Sequence, residues 1–310
     1  MRILVLGAGG VGGYFGGRLA AAGVDVRFLV RPARAQTLAE HGLVITSPLG
    51  NLRLPVHTLT QASEPVDAVL LTCKAYDLEA AIGSISPAVG AATLVLPLLN
   101  GLRHLDALDA RFGPQRVLGG LCQIGATVNA AGEIEHLNTL QDLVLGARAQ
   151  GQTAAATALH KELERGGFAP KLSADIVQEM WEKFTFLTAY AGMTTLMRAP
   201  IGAIVATQEG EAIAREMLAE CAATASANGH TPRPAALARM LASITERGSA
   251  GTASMLRDMQ RHGPTEHEHI LGDMLARSRA ARVPAPLLRV GLAHMQAYEA
   301  VRASRHSNSR

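Results

Sequence analysis

Apolar and polar positions follow two different rhythms along this chain of 310 residues. Ile3-Leu4-Val5-Leu6 is a short continuous apolar run ending at glycines, the pattern of a strand buried on both faces. Residues 14–22 then read as a helix and 24–30 as a second strand. Further near-continuous apolar runs lie at 66–73 and 93–99, and Val117-Leu118-Gly119-Gly120 begins another. Residues 134–137 and 143–146 read as later strands, with an antiparallel arrangement left open. Strand-like and helix-like runs alternating to about residue 170 predict a parallel sheet covered on both faces. From about Ser173 the strand-like runs cease and helical spacing takes over. It predicts helices from about Met180 to Leu196 and over 213–227, 234–246 and 267–281. The expected class is α/β plus all-α, with one domain over 1–172 and a helical one over 173–310.

The first strand runs straight into Gly7-Ala8-Gly9-Gly10-Val11-Gly12, a G-x-G-x-x-G at a strand–turn–helix junction. Gly7 would allow the tight turn, Gly9 a close approach of backbone to a pyrophosphate, and Gly12 close packing of helix on strand, with Gly10 in the same loop. The helix start supplies N–H groups and a dipole for the anion. A Rossmann-like dinucleotide site is the expectation for the amino-terminal domain. No acid stands at the end of the second strand, where an NAD-selective site would offer one to the ribose hydroxyls. The chain reads Val30-Arg31-Pro32-Ala33-Arg34 there. A guanidinium pairs with a 2′-phosphate that a carboxylate would repel, so Arg31 points to NADP(H).

Composition narrows the partners. A net charge of +3 without a dense basic run gives no reason to expect nucleic acid. The three cysteines lack metal or redox spacing, and no metal-ligand pattern joins the eleven histidines, so no metal is expected. No apolar stretch is long enough for a membrane span, and a cytoplasmic location follows as the simplest expectation. A homodimer stays open.

Candidate chemistry lies beyond the glycine loop. Lys74 and Asn100 each end a strand-like run, where open α/β sheets bind ligands. Lys183, in Met180-Trp181-Glu182-Lys183-Phe184, shares a helix face with Phe186, Leu187 and Tyr190. Two readings stand for it: a lysine reaching solvent, or one lining a partly closed cleft where desolvation suits it to give up a proton. Thr265 and Glu268 have capping-box spacing, and Glu266 lies at the end of the core-facing stripe with Ile270 and Met274. His267 and His269 point apart on this helix and read as surface residues.

Taken in order, these segments resemble the ketopantoate reductase (2-dehydropantoate 2-reductase) family. The similarity runs from the glycine loop through Thr72-Cys73-Lys74-Ala75, Asn100-Gly101 and Trp181-Glu182-Lys183-Phe184 to Ser254-Met255-Leu256-Arg257-Asp258 and Thr265-Glu266. It implies NADPH-dependent reduction of a small 2-keto acid in pantothenate biosynthesis. Arg31 would hold the 2′-phosphate, and Lys74 and Asn100 would line the nicotinamide side. Lys183 would be the catalytic acid and Glu266 its partner, while Ser254, Glu266 and Asn100 would contact substrate. The pattern breaks where members carry asparagines: this chain has Leu187, Ala191 and Ile201-Gly202. Thr188, Tyr190, Thr194 and Arg198 are the replacement polar groups, with Arg198 the candidate for the substrate carboxylate. The alternatives are a reductase for a less polar carbonyl substrate and a non-catalytic NADP(H) sensor.

Overall fold

The computed structural model describes residues 1–307. The chain divides into two units, Met1–Leu99 with His104–Val177, and Asn100–Arg103 with the chain from Gln178 onward.

In the first unit, β1 (Arg2–Leu6), α1 (Gly10–Ala21) and β2 (Asp25–Leu29) form the strand–helix–strand start that the glycine loop implied. They are followed by α2 (Pro32–His41), β3 (Leu43–Thr46), β4 (Leu52–Leu54), β5 (His57–Leu59), β6 (Ala68–Leu71), α3 (Leu78–Ile85) and β7 (Leu94–Pro97). One sheet has the order β5-β2-β1-β6-β7, every pair parallel. Strands β6 and β7 are buried at every position, which is why they read as unbroken apolar runs. Phe15, Leu19, Phe28 and Ile3 belong to the core beneath it.

After α4 (Arg103–Phe112) the chain completes a second sheet, to which β3 and β4 also belong. It contains the long hairpin β8 (Gly119–Val128) and β9 (Ile134–Gly146), then α5 (Thr153–Glu164) and β10 (Lys171–Ser173). Its order is β10-β9-β3-β4, with β8 antiparallel to β9. The two late strands expected from sequence are one continuous strand. Its middle residues, Leu137 to Leu140, are exposed, so the buried pattern is interrupted while the ladder is not.

The second unit is helical: α6 (Ile176–Met197), α7 (Ile201–Val205), α8 (Gly210–Ala227), α9 (Pro234–Ile244), α10 (Ser254–Gln260), a π-helical turn at Glu268–Gly272, α11 (Asp273–Ala280) and α12 (Pro286–Ser307). Among the described residues, no helix is long and apolar enough to cross a membrane.

Candidate active site

The candidate nucleotide-binding residues belong to the first unit. Gly7 takes φ +92°, which a side chain would strain, and a Cβ on Gly12 would collide with the Gly7 carbonyl and the Thr72 hydroxyl. The loop therefore folds tightly onto β1, while nothing lies within 4 Å of where a Cβ on Gly9 would stand. Open space above Gly9 and the α1 amino terminus suit a bound diphosphate. Arg31 immediately precedes α2, placed there by Pro32 at the first helical position, and its side chain is 84% exposed. Its Nη2 lies 3.3 Å from Oδ2 of Asp77, a neighbour that sequence reasoning missed. Arg34 is otherwise engaged. Its two terminal nitrogens donate to the carbonyls of Gly132 (2.6 Å) and Ala8 (2.9 Å), tying the glycine loop to the β8–β9 turn. Burial lowers its pKa. Lys74 follows β6 at the start of a short 3₁₀ turn and is half-buried.

The candidate proton-handling residues belong to the second unit. Asn100 follows β7 in sequence yet groups with the helices. Lys183 is half-buried on α6, and its Nζ donates to Oδ1 of Asn100 at 3.2 Å. Phe186, Leu187 and Tyr190 are also partly exposed, as their spacing from Lys183 implied. The Phe186 and Tyr190 rings pack with centroids 5.2 Å apart. On the other side of Lys183, Glu182 is buried and takes a forked pair of bonds from Arg233, 2.7 Å to Nε and 2.6 Å to Nη2. Burial pushes the Glu182 carboxyl up, but the bonds from Arg233 prevail and hold it below the ordinary carboxylate value. This pair fixes the rotation of α6, and with it the direction of Lys183.

Glu266 is buried. Thr265 does not make the expected capping box: its N–H and hydroxyl both donate to Glu299 Oε1 at 2.8 Å, while Glu268 accepts from Gln296. A carboxylate from α12 takes the role because the helix begins here with a π turn, whose register differs from the α-helix assumed by a capping box. His269 also departs from expectation. It is 7% exposed, in electrostatic contact with Glu266 and hydrogen-bonded to the Asn100 backbone. The polar residues that precede it, His267 and Glu268, concealed this burial in the sequence. Ser254 opens α10.

Arg198 does not join this group. It caps the far end of α6 in a left-handed conformation (φ 51°) and lines a cavity of about 730 Å³ with His294, Tyr298 and Arg302. Its position fifteen residues beyond Lys183 is roughly 22 Å along the helix. The carboxylate of a 2-keto acid is bonded directly to the carbonyl carbon, so one small substrate cannot meet both residues. The other replacement groups are also limited. Thr194 donates its hydroxyl back to the Tyr190 carbonyl at 2.9 Å, and Thr188 is wholly buried. Tyr190 alone of the three polar residues considered within α6 remains partly exposed.

A model described as ketopantoate reductase PanE/ApbA matches residues 3–150, and its carboxy-terminal counterpart matches 175–299. The chain belongs to the ketopantoate reductase family. An uncharacterized oxidoreductase, YkpB of Bacillus subtilis, is 35% identical over 97% of this chain and 99% of its own. The 2-dehydropantoate 2-reductase of Mesorhizobium japonicum is 28% identical over 94% and 96%. A ketopantoate reductase from Ralstonia eutropha JMP134 superposes with TM-score 0.88 at 25% identity, covering 98% of this chain and 100% of that one. D-mandelate dehydrogenase, solved with NADH and anilino(oxo)acetate, shares the fold (TM-score 0.87, 22% identity, 98% and 100% covered). Members of this family are oxidoreductases acting on CH–OH groups, and this chain is an enzyme of that class.

Proposed function

We propose that this enzyme reduces a 2-keto acid to the 2-hydroxy acid with NADPH, and that its substrate is less polar than ketopantoate. The hydrogen bond from Lys183 to Asn100 carries the reading, because it directs an ammonium group along a partly exposed helix face beside a second polar side chain. Gly7, Gly9, Gly10, Gly12, Arg31 and Lys74 would hold the dinucleotide, whose reduced nicotinamide supplies hydride to the carbonyl carbon. Lys183 gives its proton to the carbonyl oxygen and stabilises the charge developing there. Asn100 orients the ammonium, and solvent reprotonates it. Ser254 and Glu266 are proposed as substrate contacts, with Glu266 receiving a hydrogen bond from the new hydroxyl.

Side chains near Lys183 favour the apolar substrate. Leu187 supplies no hydrogen bond, and Ala191 is completely buried. A side chain on Gly202 would collide with the backbone of Gly248 and Ser249. The amide donors that would grip a polar tail are missing, whereas Phe186, Leu187 and Tyr190 offer apolar and aromatic surface. Lys183→Ala should lower kcat at least ~10²-fold, the low end for a lost general acid, and leave NADPH affinity nearly unchanged. Near-native turnover would remove Lys183 from the mechanism.

A further inference from the structure

The Asn100–Gly101 turn depends on a histidine that the proposed reaction does not yet use. His269 lies in the π-helical turn, where the N–H groups of His269 and Ile270 both meet the Glu266 carbonyl at 3.0 Å. The wider turn changes the direction of the side chains, and His269 is buried although polar residues precede it. Its ring hydrogen-bonds the Asn100 backbone. Gly101, at φ +78°, passes so close that a Cβ would stand 3.0 Å from the ring's Cδ2 and 2.9 Å from the His269 carbonyl. Asn100 in turn receives the Lys183 ammonium on Oδ1. A continuous path of contacts therefore runs from the π turn to the proposed proton donor.

We infer that His269 is a positioning residue for proton transfer: its buried imidazole holds the Asn100–Gly101 turn so that Asn100 Oδ1 meets Lys183 Nζ. The inference rests on the assignment of Lys183 as the acid. Burial lowers the imidazole's pKa, as does Arg103, while Glu266, Asp273 and the bond to Asn100 raise it. Burial prevails, so the ring works as a neutral hydrogen-bond donor. A backbone bond that raises an imidazole's pKa is one in which the ring N–H donates, here to the Asn100 carbonyl.

The test compares His269→Phe and His269→Met, which cannot donate, with His269→Gln, which can. The donor-less variants should lose about tenfold or more in kcat, the scale of one hydrogen bond of about 1.4 kcal/mol, with KM for NADPH within about twofold of native. They should also shift the high-pH limb of kcat downward, because freeing Lys183 from its acceptor destabilises the ammonium form. His269→Gln should recover most of kcat and the native limb. Native kcat and an unmoved limb in a folded donor-less variant would overturn the inference. So would failure of both donor-less variants to fold, or a Gln variant as impaired as they are. Lys183→Ala, measured alongside, separates the two claims. An active Lys183→Ala contradicts the acid assignment, whereas an inactive one with unaffected His269 variants contradicts only the positioning role.

Discussion

In the proposed reading, cofactor choice turns on one guanidinium and one carboxylate. Arg31 is exposed and opposite Asp77, so a 2′-phosphate would have to replace a weak, solvent-screened pair. Arg31→Ala should weaken NADPH by roughly 1.5–3 kcal/mol, the value of a charge-assisted bond, and leave NADH nearly unchanged. Asp77→Asn should tighten NADPH, since it removes a like charge facing the phosphate. Titration of both cofactors by fluorescence checks this, and equal losses for both in Arg31→Ala would contradict the assigned role. Arg31 was legible because its place after β2 is set by chain order. Asp77 was not, because the contact spans forty-six residues and leaves no local pattern. His269 was hidden differently. His267, Glu268 and His269 form a polar run, and only the π turn shows that one of them is buried.

At the scale of elements, α6 carries the second unit's proposed chemistry, and the Glu182–Arg233 pair sets its rotation. Glu182→Gln keeps the shape but leaves the Arg233 guanidinium without its counter-charge. That change should cost about 1–2 kcal/mol, because Glu182 is buried while Arg233 is half exposed and keeps part of its hydration, and denaturant unfolding measures it. The sign with pH follows from the lowered Glu182 pKa. The stabilisation is present above the unfolded carboxyl's pKa and fades as pH falls through the lower folded value. In Glu182→Gln the acid-side loss should be smaller; an identical acid profile would show that other groups cause it. Where α6 ends was legible from its spacing, but its start at Ile176 and the geometry beyond its end were not. Arg198 looked available in sequence, while helical rise puts it roughly 22 Å from Lys183. Likewise β3 and β4 are short strands of four and three residues, too brief for alternation to distinguish from loop, whereas the buried runs of β6 and β7 marked themselves.

At the scale of the molecule, the proposed roles fall in two units: the glycine loop and Arg31 lie in one, Lys183, Asn100 and Glu266 in the other. That division explains why cofactor affinity and turnover should respond to different substitutions. It was legible where sequence rhythm changes near Ser173, but the grouping of Asn100–Arg103 with the helical unit depends on contacts distant in sequence. The reaction class rests on residues whose identities survive from the family pattern. The substrate rests on those that do not, Leu187, Ala191 and Gly202. The most direct measurement is NADPH oxidation by the native enzyme against ketopantoate and against 2-keto acids with branched aliphatic or phenyl tails. The account predicts turnover with several of these and a higher kcat/KM for an apolar-tailed acid than for ketopantoate. The substrate claim would be contradicted by a preference for ketopantoate, and the reductase assignment by no oxidation with any 2-keto acid.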